Sequence, residues 1–204
     1  MKNLLLPPLV LLFIFSCSDH PSYADRALNA DSENESWLLH GRTYDESRFS
    51  PLKDINDSNV HELGLSWSFE TGTNRGHETT PIVVDGMMFI TAPWSLVFAL
   101  DAKTGKKIWS FDPEADKSWA RNACCDVVNR GVAVWGDQVV FATIDGRLIS
   151  LDKESGEVNW DVLTIDKSKP YTITGAPRII DGKVIIGNGG GEFGVRGYIS
   201  AYDI

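Results

Sequence analysis

The sequence predicts an all-β fold, a β-propeller of which this chain carries about three blades, incomplete at its C-terminal end. Two markers of one period and a regularly placed tryptophan predict it. Ala99-Leu100-Asp101-Ala102-Lys103-Thr104-Gly105-Lys106-Lys107-Ile108-Trp109 returns as Ser150-Leu151-Asp152-Lys153-Glu154-Ser155-Gly156-Glu157-Val158-Asn159-Trp160, and starts again as Ala201-Tyr202-Asp203-Ile204. Asp101, Asp152 and Asp203 are spaced by 51 residues, as are Trp109 and Trp160. Asp85-Gly86, Gly136-Asp137 and Asp181-Gly182 form the second marker, each between short apolar runs. Several short strands per repeat of about 40–50 residues describe propeller blades, whose faces are buried only against neighbouring blades. A tryptophan at a fixed repeat position would wedge between consecutive blades and supply much of that burial.

The elements follow in order. Met1-Lys2-Asn3 leads into an apolar stretch, Leu4 to Phe15, too short to span a bilayer and built like a secretory leader. Two cleavage points compete. Ser22-Tyr23-Ala24 would leave Asp25 at the mature terminus, giving residues 1–24 as signal peptide and 25–204 as propeller. Ile14-Phe15-Ser16-Cys17 resembles a bacterial lipobox, and only lipidation of Cys17 would tie the chain to a membrane. Either route exports the chain to the periplasm, where disulfides form. Further on, Pro81–Val84 with Met87–Thr91, Val132–Trp135 with Val139–Thr143, and Arg178–Ile180 with Val184–Gly187 read as hairpins closed by tight turns. The Asp-x-x-Thr/Ser-Gly pieces read as turns into the strand that carries the tryptophan.

A net charge of −9 without a basic cluster argues against nucleic acid as a partner. His40, His61 and His77 have no metal-like spacing. Cys124 and Cys125 are adjacent, inside Ala123-Cys124-Cys125-Asp126-Val127-Val128-Asn129-Arg130-Gly131. Neighbouring Cα atoms lie about 3.8 Å apart, and a relaxed disulfide wants roughly 4.4–6.8 Å. A bond between them would close a strained eight-membered ring, of the kind that gathers at functional sites. Two separate small apolar thiols are the other reading.

Four segments stand apart from generic blade sequence: Arg75-Gly76-His77-Glu78-Thr79-Thr80-Pro81, Ala123 to Gly131, Tyr171-Thr172-Ile173-Thr174-Gly175-Ala176-Pro177, and Gly187-Asn188-Gly189-Gly190-Gly191-Glu192-Phe193-Gly194-Val195-Arg196-Gly197-Tyr198. With Trp94–Asp101 and Gly41–Ser50, they resemble the pyrroloquinoline-quinone (PQQ) alcohol dehydrogenases from about Trp37 to Asp203.

The resemblance implies an eight-bladed propeller holding PQQ and a metal ion, and an enzyme that oxidises small primary alcohols to aldehydes and passes electrons to cytochrome c. It implies that Cys124 and Cys125 form a ring disulfide packed on one face of the quinone. Glu78, Arg130 and Thr174 would hold its carboxylates and carbonyls, with Glu78 alternatively accepting from its ring N–H, and Gly189, Gly190 and Gly191 would let backbone pass close to it. Glu192 would ligate the metal, which would polarise a quinone carbonyl. That metal is Ca2+, or alternatively a lanthanide, since many calcium-type members carry Ala where Gly191 stands. The family's catalytic Asp matches nothing before Ile204, so no catalytic residue is assigned within this chain, and the piece alone is expected to be inactive. A non-catalytic envelope-scaffold lipoprotein with the same repeat is the alternative, but it has no use for vicinal cysteines or a Gly-Gly-Glu metal strand. Arg196 is expected to hold its turn.

Overall fold

The computed structural model describes residues 22–204; the apolar leader and the lipobox with Cys17 lie outside them. A short helix, α1 (Tyr23–Leu28), opens this region and is followed by eleven strands in three antiparallel sheets. The first sheet runs β1 (Ile82–Val84), β2 (Met87–Ala92), β3 (Leu96–Asp101), β4 (Lys107–Phe111), and the second β5 (Ala133–Trp135), β6 (Gln138–Ala142), β7 (Arg147–Asp152), β8 (Val158–Leu163). The third has β9 (Arg178–Ile180), β10 (Lys183–Gly187) and β11 (Ile199–Asp203), paired in sequence order. Two whole blades and three strands of another bear out the expected incomplete propeller. No described helix is long and apolar enough to cross a membrane.

The hairpins form where the Asp-Gly markers place them. Asp85 and Gly86 have φ of 53° and 78°, and Asp181 and Gly182 have 48° and 69°, the paired left-handed values that a type I′ turn requires. The repeat also reproduces its irregularities. The third and fourth strands of both complete blades shift register at Ala99/Leu100 and at Ser150/Leu151. Just beyond each shift an aspartate closes the next turn: Asp101 Oδ1 accepts the Thr104 N–H and hydroxyl at 2.7 Å each, and Asp152 Oδ1 accepts those of Ser155 at 2.8 Å each. Both carboxyls are held below the ordinary aspartate range, Asp101 by the Thr104 hydroxyl foremost and Asp152 by the Ser155 N–H foremost.

The cores lie between blades, as a propeller demands. Phe89, Val97 and Trp109 of the first blade share one cluster with Val139, Phe141 and Leu151 of the second. Val140, Ala142 and Leu148 of the second pack with Ile179, Val184 and Ile186 of the third. The helix α1 spans the Ala24–Asp25 bond offered as a cleavage point. Ser22 caps it through a reciprocal bond with Asp25, and Tyr23 is buried with its hydroxyl donating to the Leu38 carbonyl at 3.0 Å.

Candidate functional site

The three segments that lead into the first strands of the three blades are stitched together at one end of the sheets. The Thr80 N–H donates to the Arg130 carbonyl (3.1 Å), and the Arg130 N–H donates to the Thr174 carbonyl (3.0 Å). Residues at equivalent repeat positions therefore meet, although 44 residues of chain separate Arg130 from Thr174. The Arg130 guanidinium converts that backbone contact into a side-chain site. Its Nη2 pairs with Glu78 Oε2 at 2.7 Å and its Nη1 donates to Thr174 Oγ1 at 2.6 Å. The Arg130 and Glu78 side chains stay 42% and 40% exposed, so the pair faces solvent rather than the interior, and Arg130 extends to the wall of a neighbouring cleft.

That cleft, of about 390 Å³, is lined by Arg130, Ile173, Thr174, Ala176, Asn188 and Gly189 among others. Its size falls at the low end of the roughly 300–1,000 Å³ usual for small-molecule sites. Gly189 reaches it because its N–H donates to the Thr172 carbonyl at 2.7 Å, joining the glycine run to the Thr174 segment. A side chain at Gly189 would meet Thr172 Oγ1 at 2.9 Å, so the absence of a Cβ permits the approach. A Cβ on Gly190, at φ 108°, would come within 2.5 Å of the Pro170 carbonyl oxygen, whereas one on Gly191 would meet nothing within 4 Å.

Glu78, Arg130, Thr174 and Gly189 thus converge. Cys124 and Cys125 occupy the same loop as Arg130, both exposed, with their sulfurs at bonding distance of each other and their Cα atoms 3.8 Å apart. Glu192 lies in the one-turn 3₁₀ helix Gly191–Phe193, exposed, and no group of three or more His, Cys, Asp or Glu residues is arranged to hold a metal among the described residues. The Arg196 guanidinium, expected to hold its turn, makes no hydrogen bond or ion pair among the described residues. Its carbonyl does that work, accepting the Tyr171 hydroxyl at 3.1 Å.

Sequence reasoning passed over two residues. Asn129, 1% exposed, donates to the Ala142 carbonyl (2.8 Å) and Ser95 Oγ (3.2 Å), accepts the Gly131 N–H (3.0 Å), and so fixes the backbone on either side of Arg130. Asn188 braces the glycine run by accepting the Tyr198 N–H at 2.9 Å. An asparagine directly after two valines was the available signal for the first; nothing local marks the second.

The residues fit an anionic, flat, polar ligand. An arginine fork recognises carboxylates, a threonine hydroxyl donates or accepts, and glycine backbone can lie flush against a ring. For a hard cation, Glu192 supplies one suitable oxygen donor.

Comparison with known proteins gives a consistent result. Residues 37–204 match the family described as "PQQ: Glucose/ethanol/alcohol dehydrogenase, beta-propeller domain". The chain is 56% identical over 168 residues to the 1-butanol dehydrogenase (cytochrome c) of Thauera butanivorans, covering 82% of this chain and 24% of that protein. It superposes on the solved quinohemoprotein alcohol dehydrogenase ADHIIG of Pseudomonas putida with a TM-score of 0.86 at 55% identity, covering 87% of this chain and 26% of that one. A europium-containing methanol dehydrogenase matches with a TM-score of 0.83 at 40% identity, over 88% of this chain and 32% of the other. The chain spans about a quarter of the length of the curated relatives it matches.

Proposed function

We propose that this chain, which belongs to the PQQ glucose/ethanol/alcohol dehydrogenase β-propeller family, is the part of an exported alcohol dehydrogenase that builds one side of the quinone cradle. The observation that carries the reading is that Arg130, held by Glu78 on one side and Thr174 on the other, lines a cleft with Thr174 and glycine backbone and lies six and five residues beyond the adjacent Cys124 and Cys125. The substrate class is a primary alcohol, the product an aldehyde, and the electron acceptor a cytochrome c, in keeping with the names of the relatives. The compartment is the periplasm, in keeping with the leader-like Leu4–Phe15 stretch.

PQQ, when bound, supplies the two-electron oxidation. The chain's own residues bind and orient. Arg130 offers guanidinium N–H groups to carboxylate or carbonyl oxygens, while Thr174 and Glu78 hold that guanidinium from two sides and fix its plane. Glu78 keeps a second carboxylate oxygen available as an acceptor for a ring N–H. The Cys124–Cys125 disulfide would offer the quinone a rigid surface to pack against. Glu192 would supply one oxygen ligand to Ca2+, or alternatively to a lanthanide, beside a Gly191 whose Cβ position is open.

The test is reconstitution of the full-length protein with PQQ and either Ca2+ or a lanthanide, followed by dye-linked oxidation of short primary alcohols. Turnover that needs both quinone and metal supports the reading. A full-length protein that binds no PQQ in either metal removes it.

A further inference from the structure

Two ion pairs of opposite polarity join the same two segments. Glu78 pairs with Arg130, and three residues before that glutamate Arg75 pairs with Asp126, four residues before that arginine. The positive partner lies on the first segment in one pair and on the second in the other. A slip of one segment along the other would set Arg75 towards Arg130, or Glu78 towards Asp126, like charge against like. The arrangement therefore encodes a register.

The Arg75–Asp126 pair also rests on an unusual platform. Trp94 has φ 67° and Ser95 φ 62°, left-handed values that a bulky aromatic residue rarely adopts and that mark constrained sites. The Trp94 N–H donates to the Val127 carbonyl at 2.9 Å, so the kink holds the residue just after Asp126. The Arg75 guanidinium carbon lies 5.8 Å from the Trp94 ring centre and the Lys117 ammonium 4.2 Å, within cation–π reach. Asp126 is itself left-handed (φ 72°) and turns its carboxylate back onto the Val127 N–H at 2.8 Å. The loop is held immediately after its cysteines by the Arg75 pair with Asp126, by the Trp94 N–H on the Val127 carbonyl, and by the burial of the Val127 side chain.

We propose that Arg75, acting through Asp126 over Trp94, is a positioning residue that sets the Cys124–Cys125 loop in register with the Glu78 segment. It touches neither quinone nor substrate; it fixes where the sulfurs stand relative to Glu78 and Arg130. This rests on the quinone reading for its purpose, but not for its geometry.

The experiment is a double-mutant cycle in the full-length protein: Arg75→Gln, Asp126→Asn, and both together. Asparagine keeps an oxygen for the Val127 N–H, so only the ion pair is lost. One readout is the rate at which a small phosphine reductant opens the Cys124–Cys125 bond without quinone; the other is PQQ affinity by titration. Each single change should raise the reduction rate and weaken PQQ binding about fivefold, and the double variant should match the singles rather than reach their product of about 25-fold. Single variants within twofold of the parent in reduction rate, or effects that multiply in the double, overturn the proposal. A parent protein that binds no PQQ sinks the functional reading instead, while the reduction rates still decide the clamp.

Discussion

The indole of Trp109 lies against the bare α-carbon of Gly156 in the next blade: a Cβ built there would come within 2.7 Å of the ring. Its Nε1–H donates to the Lys153 carbonyl of the same turn at 2.9 Å. The preceding unit repeats the contact, with Trp67 against Gly105 at 2.4 Å from the same construction. The glycine of each Asp-x-x-Thr/Ser-Gly turn thus serves both as the left-handed turn residue and as the seat of the neighbouring tryptophan. Gly156→Ala pays for both, left-handed strain of about 1 kcal/mol and overpacking of about 1–3 kcal/mol. Gly136, at φ 62° with nothing within 4 Å, incurs only the first. Chemical denaturation of the full-length protein should show Gly156→Ala the more destabilising by at least 1 kcal/mol, and equal costs would refute the wedge.

Arg130 offers a second prediction. Its two contacts are partly exposed, so removing it should cost little stability, while the cleft loses one of its two lining arginines, the one bonded to Thr174 and Glu78. Arg130→Met should weaken PQQ binding by at least tenfold, roughly 1.4 kcal/mol, and Thr174→Val by less, because the arginine backbone bond to the Thr174 carbonyl survives. Titration of apoprotein with PQQ measures both. Affinity unchanged in Arg130→Met would take the residue out of the site.

Much of this was readable in the chain because a propeller writes its fold as a period. The spacing of Asp101, Asp152 and Asp203 placed the blades, and the Asp-Gly markers placed the hairpins, each for a local reason: a side chain that caps its own turn, or a positive φ. Glu78, Arg130 and Thr174 were found as motif residues, but their meeting was not, since it depends on backbone bonds between separate blades. Asn129 stood out only as a polar residue after two valines, and its role was not legible for the same reason, as its partners Ala142 and Ser95 lie 13 and 34 residues away. The Arg75–Asp126 pair joins positions 51 residues apart, one full repeat, and only the assembled blades bring them together.

The paired cysteines lend themselves to a direct chemical check. Both residues are exposed, so free thiols there would react readily with iodoacetamide. Native, unreduced protein should therefore remain unalkylated at Cys124 and Cys125, and both should label after reduction. Labelling before reduction would leave two separate thiols and no ring.

His40 predicts a pH dependence. Burial, with the nearby Arg178 charge second, holds its imidazole below the ordinary value of 6.5, and its Nδ1 is buried with no hydrogen-bond partner. The unfolded chain therefore binds the proton more readily than the folded one, so stability is fully present above about pH 6.5 and is lost as pH falls through the depressed native value. Thermal midpoints measured downward from neutral pH should drop, and His40→Gln should flatten that part of the profile. A slope unchanged in the variant would assign the acid sensitivity elsewhere.

The N-terminal helix makes the last prediction, since a mature chain starting at Asp25 would lack Ser22 and Tyr23. The lost cap costs about 1 kcal/mol, and the lost aromatic side chain, packed 5.5 Å from the Trp135 ring and bonded to the Leu38 carbonyl, about 2–4 kcal/mol more. Its neighbour Arg26 reaches Glu33 and Asp85 at 2.6 and 2.9 Å, and Lys153 reaches the same Asp85 at 3.0 Å, so α1 is tied to turns of both complete blades. Full-length protein beginning at Asp25 should unfold at lower denaturant than protein beginning at Ser18, and Tyr23→Ala in the longer form should reproduce most of the difference. Identical midpoints for the two forms would mean that the helix adds nothing to the stability of the blades it touches.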